Sequence, residues 1–148
     1  MAERDPILSA HGDRLRAECF SGCNAVYACF EVMGSGLDGG DIGRGTTNVD
    51  IGPASRVMLS NLPRHELLHL DVGAEGLRAA TLTTSTVERP VTMPSRWVPA
   101  LGNAAQSQQG FVEAFRVPAS GARRFLAGLP PASSSGHSAW LSSSRGAV

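Results

Sequence analysis

From Arg14 onward polar and apolar residues alternate, with Leu15, Ala17 and Cys19 interleaved between Arg14, Arg16 and Glu18. A period of two sends successive side chains to opposite faces of an extended backbone, so this stretch predicts a half-buried strand. Ser21-Gly22 supplies a turn. Beyond it Val26, Ala28, Phe30 and Val32 alternate with Tyr27, Cys29 and Glu31, which predicts the second arm of a β-hairpin. Residues 1–12 lack the pattern and read as a loose leader. Gly34 to Gly45 is a glycine-dense loop, read as a hairpin loop, and Thr46 to Ile51 predicts a short strand after it. Pro53 suits the first position of a helix running to about Leu62, because the N–H it lacks has no helical partner there. Pro63 stops that helix.

Leu67 to Val72, a turn at Gly73–Gly76, and Leu77 to Leu82 predict another hairpin, and Val87, Arg89 and Val91 continue the extended pattern. Pro94-Ser95 opens a helix whose Trp97, Leu101, Ala104 and Ala105 recur close to i, i+4, i+7 and i+8. Pro99 fits only because it falls in the first turn. Phe111 to Val117 predicts a strand, and Pro118 begins a second amphipathic helix carrying Ala122, Phe125, Leu126 and Leu129 before Pro130-Pro131. Strands interspersed with short helices indicate an α+β class. The expected architecture is mainly antiparallel β-hairpins with two or three short helices packed on the sheet. It forms one domain over 13–130, followed by a Ser/Gly/Pro linker at 131–137. Residues 138–148 read as the start of a further hairpin that is cut short, as in a fragment of a longer protein.

A chain of 148 residues suits one domain, and at that size roughly 70% of the unfolded surface is buried, enough for a core without staples. With 42% hydrophobic and 18% charged residues it belongs with folded chains. Every basic residue is Arg, the net charge is zero, and Arg123-Arg124 is the only adjacent basic pair. That distribution lacks the dense positive footprint of strong nucleic-acid binders. A nucleic-acid-binding module would need a patch assembled by folding from Arg44, Arg56 and Arg64. The opening residues hold no apolar signal core and no run suits a membrane span, so no membrane partner is expected. Cys19, Cys23 and Cys29 are odd in number and irregular in spacing, which argues against a secreted disulfide framework. Free thiols, buried or half-buried, in a cytoplasmic protein are the expectation.

His65-Glu66-Leu67-Leu68-His69 matches H-E-x-x-H. That chemistry needs a helix, which brings two His at i and i+4 to one Zn²⁺ and a Glu to the zinc water. Here Pro63 precedes the string, Leu68, Leu70 and Val72 alternate with His69 and Asp71, and Gly73 ends the run. On a strand the two imidazoles stand ~13 Å apart, too far for one ion. The zinc-enzyme reading therefore fails, and the match of His65, Glu66 and His69 is coincidental. Gly34-x-Gly36-x-x-Gly39 has dinucleotide-fingerprint spacing, but the helix that must open at its third glycine is replaced by further glycines. A P-loop is excluded because the chain has no Lys. The cysteine spacing fits no common zinc site, no serine lies in G-x-S-x-G, and Asp38 and Asp41 sit in the glycine loop. The residues thus predict no catalytic group, no metal and no cofactor.

Several strings occur in a telling order: Phe20-Ser21-Gly22-Cys23 through Val26-Tyr27, then Gly43-Arg44-Gly45-Thr46-Thr47-Asn48-Val49-Asp50. Leu68–Gly73, Val87–Pro94, Arg96-Trp97 and Arg123–Pro130 follow. Together they resemble the segment preceding the zinc finger in actinobacterial SWIM zinc-finger proteins, from about Gly12 to Pro130. G-R-G-T-T-N-V-D is the most distinctive part. The family's C-x-C…C-x-H site is absent, so no zinc ligand carries over, and the helix after Arg96-Trp97 departs from the pattern with Pro99, Gly102 and Asn103. The resemblance implies a non-catalytic interaction or scaffold module, with a protein or nucleic-acid partner in a larger assembly. Arg44, Thr46, Thr47, Asn48 and Asp50 form the candidate partner-contact or structural motif; turn and cap hydrogen bonding is the favoured role and partner contact the alternative.

Overall fold

The computed structural model describes residues 5–37, 43–113 and 116–129. The linker at 131–137, the hairpin start at 138–148, and Asp38, Gly39 and Asp41 lie outside the described residues. The fold is α+β, with two antiparallel sheets. The first is ordered β3-β2-β1-β4, from β1 (Ile7–His11), β2 (Arg14–Phe20), β3 (Tyr27–Met33) and β4 (Arg44–Asn48). The second is β5 (His69–Gly73), β6 (Gly76–Ala80) and β7 (Ser85–Glu88) in sequence order.

β1 occupies the segment that the hydropathy pattern leaves as a leader. It is a central strand paired with both β2 and β4, and Ile7, Leu8 and Ser9 are buried on both faces. A strand covered on both sides shows no alternation, which is why the pattern misses it. The β2–β3 hairpin forms as predicted, in unbroken register from Arg14↔Met33 to Phe20↔Tyr27. β3 and β4 lie on opposite edges, so the glycine-dense segment is a crossover and not a hairpin loop. Gly34–Gly36 is a single 3-10 turn within it.

Each face of the first sheet has its own core. Leu8 packs with Val49 and Leu77, flanked by Ala17, Ile51, Leu70 and Val72, where the second sheet meets the first. On the opposite face Ile7 and Phe20 pack against Trp97 of α2 (Trp97–Gln108). This contact anchors α2 by its first residue, and the helix runs on through Pro99, Gly102 and Asn103 despite their weak propensity.

The sheets are laced where β4 ends. Val49 bridges Pro90, Val91 N–H donates to the Asn48 carbonyl at 2.8 Å, and Asn48 Nδ2 donates to the Val91 carbonyl at 3.3 Å. Gly45 is required there, because a Cβ would stand 2.7 Å from the Val72 carbonyl oxygen.

α1 (Pro53–Ser60) follows with Pro53 in its first turn, and its N-cap Gly52 has no side chain to satisfy the free N–H groups. Glu88 of β7 does so instead, accepting from Gly52 N–H at 2.9 Å and from the fully buried Ser55 hydroxyl at 2.5 Å. Glu88→Ala strands both donors, so a stability loss on the order of 1–3 kcal/mol is expected. Urea denaturation checks it; a midpoint unchanged from wild type contradicts this capping role.

The chain divides into two compact units between Ala105 and Gln106, within α2. In the second unit α3 (Ala119–Ala127) follows Pro118 as predicted and ends at Gly128, whose N–H reaches the Arg124 and Phe125 carbonyls. The strand predicted for 111–117 is absent among its described residues, 111–113 and 116–117. No strand pairs with it among the described residues, and an apolar run without a ladder partner does not hold the strand conformation. Glu113 and Arg116 form an ion pair there instead, at 2.8 Å.

Candidate interaction surface

The G-R-G-T-T-N-V-D residues are mostly absorbed by the sheet. Thr46 shares a 3.0 Å hydroxyl hydrogen bond with Ser9 of β1, and Thr47 is buried opposite Leu8. Asn48 ties the two sheets, and only Arg44 and Asp50 join Thr46 as exposed members of the candidate set. The Thr46 and Asn48 bonds run between strands and between sheets rather than within a turn or cap, and the buried Thr47 hydroxyl has no hydrogen-bond partner among the described residues.

The H-E-x-x-H string turns rather than spirals. Glu66 N–H donates to the Pro63 carbonyl at 3.1 Å, closing a turn, and β5 begins at His69. His65 is exposed in the turn and His69 is exposed on the strand. Among the described residues no three His, Cys, Asp or Glu side chains converge as a metal site would need. Gly34 and Gly36 lie in the 3-10 turn and β4 begins at Arg44, while Gly39, the third glycine of the spacing, lies outside the described residues. Arg44, Arg56 and Arg64 are exposed on three separate elements: β4, α1 and the turn before β5.

The three cysteines are exposed, not buried or half-buried. Cys19 and Cys29 point to opposite faces of the sheet, since Cys19 pairs with Ala28 and Cys29 with Glu18. Partial burial of the Cys19 sulfur, helped by Cys29, raises its pKa, although the residue as a whole is exposed. Cys23 is shifted down, chiefly by the hydrogen bond with the Ser21 hydroxyl at 3.5 Å and then by the backbone of Ala25. The thiolate is the reactive form. Peptide-mapped iodoacetamide labelling at neutral pH should therefore modify Cys23 before Cys19; the reverse order contradicts the Ser21 contact.

An ion network lies on the same face as Tyr27. Its hydroxyl donates to Glu18 at 2.6 Å and accepts from Arg16 at 2.9 Å. Arg16 also pairs with Glu18 at 3.2 Å and with Glu31 at 3.5 Å. The Tyr27 hydrogen bond, with Glu18 adding, raises the Arg16 pKa against the cost of partial burial. These charges are matched within the molecule, which makes the network a brace for the hairpin.

Two surfaces remain that sequence patterns do not announce. One is a shallow groove of about 630 Å³ between α1 and the β6–β7 turn, with Val57, Met58 and Leu62 on one side and Thr81, Thr84 and Thr86 on the other. Glu66 is its one carboxylate, and it holds no His, Cys or Arg. The other is β3. Among the described residues it pairs only with β2, so no described strand lies along its far edge. Phe30 is 66% exposed and Val26, just before the strand, 62%; Met33 is exposed too. The second sheet packs over β1 and β4, and among the described residues nothing covers Phe30 on the β3 side of that face.

No protein-family model, curated protein or solved structure matches this chain. What it does must be read from its own surface. Among the described residues no helix is long and apolar enough to cross a membrane.

Proposed function

We propose that the chain is a non-catalytic protein-interaction module that receives an extended segment of a protein partner along the open edge of β3. The observation that carries this is an edge that no other strand covers among the described residues. β3 has no Pro, no Lys, no Arg and no bulge, its one charge, Glu31, is paired with Arg14 and Arg16 of its own sheet, and Phe30 is exposed. Folded proteins normally block such an edge with charge, proline or a covering element. Strand addition draws affinity from main-chain hydrogen bonds and selectivity from alternate side chains, here the line of Ala28, Phe30 and Val32. The module corresponds, in this reading, to the region before the finger of SWIM-type proteins, supported by the ordered strings from Gly43–Asp50 to Arg123–Pro130. Its place is the cytoplasm, where exposed, unpaired thiols such as Cys19, Cys23 and Cys29 stay reduced.

Selection of a displayed random-peptide library on the purified chain tests the edge. The expected winners alternate apolar and polar residues, and their binding is lost in Phe30→Lys. Peptides that bind Phe30→Lys equally well, or salt-sensitive binding of duplex DNA with no peptide selected, contradict the proposal. A C-x-C…C-x-H string downstream in the same reading frame is the expected mark of the SWIM relationship.

A further inference from the structure

We infer that the segment seated on β3 is the β3 strand of a second copy of this chain, paired antiparallel about a two-fold axis at Phe30. The inference rests on the reading of β3 as an open edge. Its own ground is the self-complementarity of that edge.

A two-fold interface must match one patch to itself, and antiparallel pairing sets residues of the same sheet face opposite one another. With the axis at Phe30, the midpoint of Tyr27–Met33, all seven residues find a partner in the other copy. On one face Phe30 meets Phe30, and Ala28 meets Val32, apolar against apolar. On the other face Tyr27 meets Met33, an aromatic–thioether contact, and Cys29 meets Glu31. Glu31 is the only acidic or basic side chain of the strand. It opposes Cys29 rather than a second carboxylate, while its own Arg14 and Arg16 stay 3.8 and 3.5 Å away.

Neighbouring registers are worse. An axis at Glu31 places two carboxylates directly opposite, which is destabilising, and leaves Tyr27 beyond Met33 without a strand partner. An axis at Cys29 sets Phe30 against Ala28 and leaves Met33 beyond the paired strand. A net charge of zero adds no long-range repulsion between copies. The pairing joins two four-stranded sheets into one continuous sheet and removes the open edge from both. A single strand pair falls short of the ~1,200 Å² of stable interfaces, so a weak, concentration-dependent dimer is expected.

Sedimentation velocity of the full chain under reducing conditions, from about 10 µM to about 1 mM, spans the affinity of so small an interface. The expected result is a monomer–dimer equilibrium for wild type and a monomer throughout for Phe30→Lys, with unchanged far-UV circular dichroism. The register is read by Phe30→Cys in a Cys19→Ser, Cys23→Ser, Cys29→Ser background, which should form an intermolecular disulfide in glutathione buffer. Arg56→Cys in the same background, on α1, should not. A monomeric wild type, a dimer that survives Phe30→Lys, or equal cross-linking of the two cysteine variants overturns the inference. If Phe30-dependent peptide binding persists in that event, the open-edge reading stands and only self-pairing is lost; if both fail, the edge reading fails too.

Discussion

Trp97→Ala should lower stability by about 3–5 kcal/mol, the cost of truncating a buried aromatic. Trp97 is fully buried, and its ring lies 5.6 Å from that of Phe20, which in turn lies 5.2 Å from Tyr27. Ile7, Met93, Ala100 and Leu101 complete the cluster. The chain is poor in aromatics, so this side of the sheet has little else of that size to bury, and alanine leaves a cavity beside Ile7, Phe20 and Met93. The indole N–H finds no acceptor among the described residues. Trp97→Phe removes that stranded donor along with some area, so it should cost far less than alanine. Urea unfolding followed by circular dichroism gives both values. Equal losses for the two substitutions contradict the packing described.

Gly76→Ala should be comparably damaging, on the order of 3 kcal/mol or more, because strain and overpacking act together. Gly76 opens β6 with a φ of +112°, a region L-residues avoid. A Cβ there would also stand 2.1 Å from the Glu88 carbonyl oxygen and 3.1 Å from Pro90 Cδ. The obstacle is backbone, and it cannot swing aside. Moving it would disturb β7 at Glu88, which caps α1, and Pro90, which bridges to Val49. Gly73 across the same turn meets nothing within 4 Å, so Gly73→Ala should be mild. A midpoint shift no larger for Gly76→Ala than for Gly73→Ala contradicts the clash.

The contrast between these glycines indicates what a linear pattern can convey. Period-two alternation exposes strands that are covered on one face, and β2, β5 and β6 were legible for that reason. β1 was hidden because Ile7, Leu8 and Ser9 are buried on both sides, and the adjacent apolar pair looks like no strand face. Residues 111–117 err the other way, since their apolar run has no ladder partner. α2 outlasts its proline, glycine and asparagine because Trp97 anchors it, which is tertiary contact overriding propensity.

The site followed the same division. Pro63 and the alternation after it were enough to place His65 and His69 on turn and strand, because that requirement is local. The open edge was not legible. Alternation in Tyr27–Met33 reports a hairpin arm, yet whether another strand covers its far side depends on where β4 goes after the crossover. The 630 Å³ groove was equally out of reach, since its walls come from Pro53–Glu66 and Thr81–Thr86, which only the fold brings together.

The most direct measurement is a titration of a display-selected peptide into ¹⁵N-labelled protein, with amide shifts and exchange followed residue by residue. The changes are expected to gather on Tyr27–Met33 and the facing residues of β2, with new protection of β3 amides. Changes confined to Arg44–Asp50 or to the groove beside α1, with β3 amides unmoved, contradict the proposal.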